Sequence, residues 1–142
     1  MRLLFICLLC VLSFSCKEEE KKEQPKEKKE LVMVKPSEMA NLMNEMYAFN
    51  ESIKQQVIEG KLNNNYPEKF NNIHSAVMTD PNDRDETFEA FSKLFLESEQ
   101  ALFEAPKEEL VMRYNNAINA CIACHTKKCS GPIPRIKKLL IK

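Results

Sequence analysis

Near the end of this 142-residue chain the order Cys121-Ile122-Ala123-Cys124-His125 sets two thiols and an imidazole within five positions. The pattern C-x-x-C-H is that of covalent haem attachment. Two thiols add to the two vinyl groups on one porphyrin edge, and the neighbouring imidazole reaches the iron. On a helix Cys121 and Cys124 are three residues apart and Cys121 and His125 are four apart, so all three share a side. Tyr114 and Ile118 continue that side as an apolar stripe. The motif and the helical phase therefore agree on one haem c, with Cys121 and Cys124 as its thioether residues and His125 as its proximal iron ligand.

Other chemistries use the same residue types. A C-x-x-C pair serves as a redox dithiol, but the βαβ context that accompanies it is missing from the pattern. Cys121, Cys124, His125 and Cys129 offer a zinc ligand set, although four ligands within nine residues of helix do not readily surround a tetrahedral ion. A Cys121–Cys124 disulfide suits an oxidising compartment and strains a helical turn.

Elements that must position the motif can be read upstream. Pro36-Ser37 offers a helix start with Ser37 as N-cap. Met39, Leu42, Met43, Met46, Phe49 or Asn50, Ile53 and Val57 then recur at three- and four-residue steps, and Gly60 supplies the stop. After the loop Asn63-Asn64-Asn65, Pro67 opens a shorter second helix whose buried side is Phe70, Ile73 and Val77. Thr79 to Asp83 breaks the pattern. A third helix is expected from near Asp85 to about Glu104, with Phe88, Phe91, Phe95, Ser98 and Leu102 on one face. Pro106 separates it from a fourth, which carries Leu110, Tyr114, Ile118, Cys121 and His125 and closes at Ser130 to Pro134. Four helices with short connections predict an all-α fold, an antiparallel four-helix bundle over 36–142 with C-x-x-C-H late in the last helix. The tail from Gly131, with Leu139, Leu140 and Ile141, is expected to fold back on it.

The first residues read as an address. Arg2 precedes an apolar run from Leu3 to Phe14, too short to span a bilayer and suited to a secretion signal. Leu12-Ser13-Phe14-Ser15-Cys16 resembles a bacterial lipoprotein signal, with Phe14 departing from its strict form. That resemblance implies a signal peptide over 1–15, lipidation of Cys16, loss of Cys7 and Cys10 with the signal, and a lipid anchor in a bacterial membrane. The anchored protein would then sit on the outer membrane facing the periplasm, or on the cell surface; cleavage without lipidation would instead leave a secreted protein. Lys17 to Glu30 holds six lysines, six glutamates and no apolar residue, so it cannot bury enough surface to fold. Residues 16–35 are expected to form a disordered tether reaching roughly 25 Å on average. Lys17-Glu18-Glu19 resembles a surface-export signal, and equally reads as a solvated charge run.

Composition sets outer bounds. Lys plus Arg and Asp plus Glu are 21 each, which gives no overall electrostatic pull toward nucleic acid. Two glycines and no tryptophan, with abundant Glu, Lys, Leu, Met and Phe, favour helices. Two histidines, one committed to iron, leave no acid–base pair, so the chain is not read as an enzyme.

From helix order and the late C-x-x-C-H, residues 37–129 resemble the cytochrome c-prime family with its six-coordinate relatives. The resemblance implies that the first helix covers the far face of the iron, with either a methionine ligand or an apolar side chain. Leu42-Met43 stands where the six-coordinate relatives place that methionine, making Met43 the expected distal ligand and Met46 the second choice. Cys129 departs from the family, which often has a basic residue there; it reads as a free thiol, a partner for another chain or a buried small residue. Lys127, Lys128, Arg113 and Arg135 are candidates to pair with haem propionates, Phe88, Phe91 and Phe95 to pack on the ring or simply in the core, and His74 to be a surface residue.

These readings converge on a membrane-anchored one-electron carrier outside the cytoplasm, with redox proteins as partners and a homodimer as one assembly state. Two alternatives stand beside it. One is a five-coordinate haem protein binding nitric oxide or another small gas. The other is a non-haem lipoprotein with a zinc or dithiol site.

Overall fold

The computed structural model describes residues 35–142. The expected signal peptide, Cys16 and the whole Lys17–Glu30 run lie outside the described residues. The described part is all-helical. Three long helices, α1 (Glu38–Ile58), α2 (Glu86–Phe103) and α3 (Leu110–Lys127), carry most of it, with a single turn, α4 (Ile133–Ile136), near the C-terminus.

Local chemistry sets each helix boundary. The Ser37 hydroxyl accepts from the Ala40 amide at 3.1 Å, which caps α1 as its sequence predicts. Gly60 ends the helix with φ of 67°, while the Gly60 amide donates to Val57 and the Lys61 amide to Gln56, the paired bonds of a Schellman stop. The Asp85 carboxylate accepts from Phe88 N at 2.9 Å to start α2. Pro106 and a short 3-10 turn, Lys107–Glu109, lead into α3.

The expected second α-helix takes a different form. Glu68–His74 is a 3-10 helix, so the described residues hold three long α-helices and one tighter segment where four α-helices were expected. The difference is visible in the burial period. Phe70 and Ile73 are both buried because residues three apart eclipse in a 3-10 helix, and Ala76, just past its end, is buried as well. The helical spacing assumed for Val77 does not hold, and Val77 is 59% exposed. Asn71 favours the tighter turn: its side chain donates to Glu68 and accepts from Tyr66, local bonds that compete with an α-helical backbone.

The α2 face is also rotated from its expected setting. Phe88, Phe95 and Leu102 are buried as read, but Ser92 and Glu99 are buried with them, and Phe91 and Ser98 are only partly covered.

Two core clusters fix the arrangement. Met39, Leu42 and Met46 of α1 pack with Phe88 and Phe95 of α2 and Ala120 of α3, together with Phe70 and Ile73. At the other end Ile53 and Val57 meet Leu102, Leu110, Tyr114 and Ile118. The starts of α1 and α2 thus share a core with the end of α3, so both run opposite to it. The tail does fold back. Ile136 and Leu139 join the second cluster, Lys54 donates to the carbonyls of Lys138 and Leu140, and Asn115 exchanges two 2.9 Å bonds with the Ile141 backbone.

Candidate functional site

A cavity of about 440 Å³ opens among the three helices and the tail. That volume lies within the roughly 300–1,000 Å³ typical of sites for cofactor-sized ligands. Cys121, Cys124 and His125 line it from α3, with Ile118 one turn earlier. Met39, Met43 and Met46 line it from α1, Phe88, Phe91 and Phe95 from α2, and Pro132, Arg135 and Ile136 from the tail. The helical phase read from the sequence therefore holds: both thiols and the imidazole lie along one wall.

His125 is oriented by its own helix end. Its Nδ1 lies 2.8 Å from the backbone carbonyl of Cys129. A carbonyl only accepts, so Nδ1 carries the hydrogen and donates it. In a neutral imidazole that leaves Nε2 unprotonated with a free lone pair, the arrangement that fixes a metal-ligating histidine. Cys129 thus takes part through its backbone, while its thiol is exposed and free.

Both motif thiols are unpaired. Burial pushes the Cys121 thiol well above its ordinary range, and the nearby Glu99 carboxyl adds to the effect. Burial raises Cys124 as well, opposed by the Lys128 ammonium. Both are held as neutral thiols, the less reactive form toward oxidants and alkylating agents.

The four candidate propionate partners separate clearly. Lys128 and Arg135 line the cavity. Lys128 is paired with Asp85, and Arg135 stacks 3.7 Å from the Tyr47 ring centroid while donating to Asn44. Lys127 is exposed, and Arg113 pairs with Glu109 away from the cavity. His74 lies on the 3-10 segment against Glu89, also away from the cavity.

Four methionines line the cavity: Met39, Met43, Met46 and Met78. Met43 is half-buried, whereas Met46 is 5% exposed and belongs to the core. Met78 was not legible in sequence, because it follows the 3-10 segment and belongs to no helical stripe. Glu99 was missed too, since a carboxylate on an amphipathic helix reads as solvent-facing.

The residues present suit a covalently held haem: two thiols and an oriented imidazole on one wall, thioethers from α1, aromatic rings from α2 and two cationic side chains. Among the described residues, no group of three or more His, Cys, Asp or Glu side chains is placed to hold a metal ion, so the four zinc ligands considered above do not converge. No helix among them is long and apolar enough to cross a membrane. What fold and site define together is an all-helical domain with a thiol- and imidazole-lined apolar cavity. No protein-family model, curated protein or solved structure matches the chain.

Proposed function

We propose that the chain is a mono-haem c-type cytochrome of the four-helix-bundle kind, exported, anchored by a lipid on Cys16, and carrying single electrons between redox proteins. The observation that carries this reading is the shared wall of Cys121, Cys124 and His125, with Nε2 left free by the Nδ1 bond to Cys129. Haem, when bound, supplies a one-electron iron couple. Everything else falls to this chain's residues.

Cys121 and Cys124 each add sulfur to one carbon of a vinyl group and hydrogen to the other, which holds the ring along one edge. His125 offers Nε2. Met43 offers its thioether from the facing helix, a ligand type that raises the potential. Lys128 and Arg135 offset the propionate charge. Phe88, Phe91 and Phe95 exclude water and lower the local dielectric, a further lever on the potential.

The test is production in a bacterial host that possesses cytochrome c maturation. Peroxidase-active haem stain should stay with the chain on a denaturing gel and vanish when Cys121 and Cys124 are both replaced by serine. A colourless chain from a competent host would overturn the reading.

A further inference from the structure

At the cavity wall stands a polar pair that the haem reading leaves unused. Glu99 of α2 is fully enclosed and Asn50 of α1 is 2% exposed. Asn50 Nδ2 donates to Glu99 Oε1 at 3.1 Å and also to the carbonyl of Met46. Two atoms of the pair, Asn50 Oδ1 and Glu99 Oε2, have no partner among the described residues. Both are acceptors while the carboxyl is ionised. Leaving such groups unpaired at this depth is costly.

One hydrogen satisfies both. A carboxylic acid facing a primary amide makes two hydrogen bonds, whereas a carboxylate makes one. A proton on Glu99 Oε2 would add a donor to a pair already joined through Oε1, and Asn50 Oδ1 is the pair's unmet acceptor. Among the described residues no other group bonds these two atoms. The titratable groups that face Glu99 are Tyr66 from the connection after α1 and Tyr114 and Cys121 from α3, none of them cationic. Tyr114 already donates its hydroxyl to the Asn50 carbonyl.

We propose that Glu99 and Asn50 form a one-proton site at the cavity wall, and that its occupancy answers to the charge held in the cavity. Asn50 itself lines the cavity and Cys121 stands in the same wall, so the pair adjoins the space where charge would change. The linkage half of the inference rests on the haem reading; the proton site does not. Burial pushes the Glu99 carboxyl up to about 7, with the Asn50 hydrogen bond pulling the other way, so the site is poised near neutrality. Haem held by Cys121, Cys124 and His125 would supply a one-electron centre whose reduction removes one positive charge from the cavity. Glu99 would then take one proton from bulk water, exchanging an O–H bond in the solvent for one on its own carboxyl.

Difference infrared spectroscopy on the haem-loaded protein, stepped between oxidised and reduced at an electrode, tests this. Reduction near neutral pH should bring up the C=O band of a protonated carboxyl, absent in Glu99→Gln. The midpoint potential should fall with rising pH near neutrality by up to about 59 mV per tenfold change in proton concentration, the limit for one proton per electron. Glu99→Gln should flatten that slope. Asn50→Ser, which breaks the pair, should shift the band if the glutamine variant fails to fold. A loaded protein with a flat potential and no Glu99-dependent band overturns the linkage. Should the chain prove colourless, a pH titration of the same band decides the proton site by itself: loss of the band as pH rises through about 7 supports it, and no Glu99-dependent band overturns it.

Discussion

The Tyr114 hydroxyl donates to the backbone carbonyl of Asn50 across 3.0 Å, tying α3 to α1 at the boundary between the two core clusters. Tyr114 is fully buried and its hydroxyl is held neutral, burial being the main cause and the Glu99 carboxyl the next. Tyr114→Phe keeps the ring and deletes one hydrogen bond. Urea denaturation should show a loss of about 1–2 kcal/mol, with no change in any haem spectrum. An unchanged midpoint would mean that the bond contributes nothing.

Glu99 sets a pH dependence of stability whose sign is opposite to that of most carboxylates. Its folded pKa of about 7 lies above the ordinary value of 4.5. The folded state therefore binds the proton more tightly. The stabilisation is fully present below 4.5 and is lost as pH rises through about 7. The full span is on the order of 3 kcal/mol. Glu99→Gln supplies a fixed donor toward Asn50 Oδ1, so it should stabilise the protein on the alkaline side and remove this slope. Denaturation midpoints measured on both sides of neutrality decide it; parallel curves for the two proteins would refute the assignment.

Asp85 has the reverse sign. Its hydrogen bond to Lys128, then the Phe88 amide, hold its carboxyl below the usual 3.8. The stabilisation it contributes is present above that value and fades as pH falls through the lowered pKa. Asp85→Asn keeps an N-cap and loses the charge, whereas Asp85→Ala loses both. At neutral pH the melting temperatures should rank native, Asn, Ala, with native and Asn converging in acid. A native protein and asparagine variant that melt together at neutral pH would show the ion pair to be inert.

Met43→Leu separates the two haem readings. If Met43 ligates the iron, the native ferrous protein resists carbon monoxide, and the variant binds it rapidly and loses the weak far-red thioether band. Met46→Leu should leave both properties unchanged. Fast carbon monoxide binding by the native protein would point instead to the gas-binding alternative.

Thiol labelling reads attachment directly. In chain without haem, an alkylating reagent should modify exposed Cys129 first and the half-buried, neutral Cys121 last. In the haem-loaded chain thioether formation should leave Cys129 as the one reactive position among Cys121, Cys124 and Cys129. Mass spectrometry counts the labels, and equal rates for Cys121 and Cys129 would contradict the burial described.

Legibility followed periodicity. The α1 and α3 stripes, Ser37, Gly60 and the phase of Cys121 and His125 could be read because caps and three-four spacing are local signals. Val77 was misread because Phe70 and Ile73 fit both the α and the 3-10 period, and only packing against α1 distinguishes them. Glu99 escaped because its burial depends on Asn50, forty-nine positions earlier, which no local pattern reveals. Arg135 stood among four propionate candidates, but its place in the cavity ahead of Lys127 and Arg113 could not be read, since it needs the tail to dock and Tyr47 to receive it.

The tail has a further consequence, one of timing. Pro132, Arg135 and Ile136 line the cavity, yet they follow His125 in the chain. A polypeptide emerging N-terminus first presents the motif before this side can close. A ligand added at that stage would meet a cleft still lacking the side that Pro132, Arg135 and Ile136 supply.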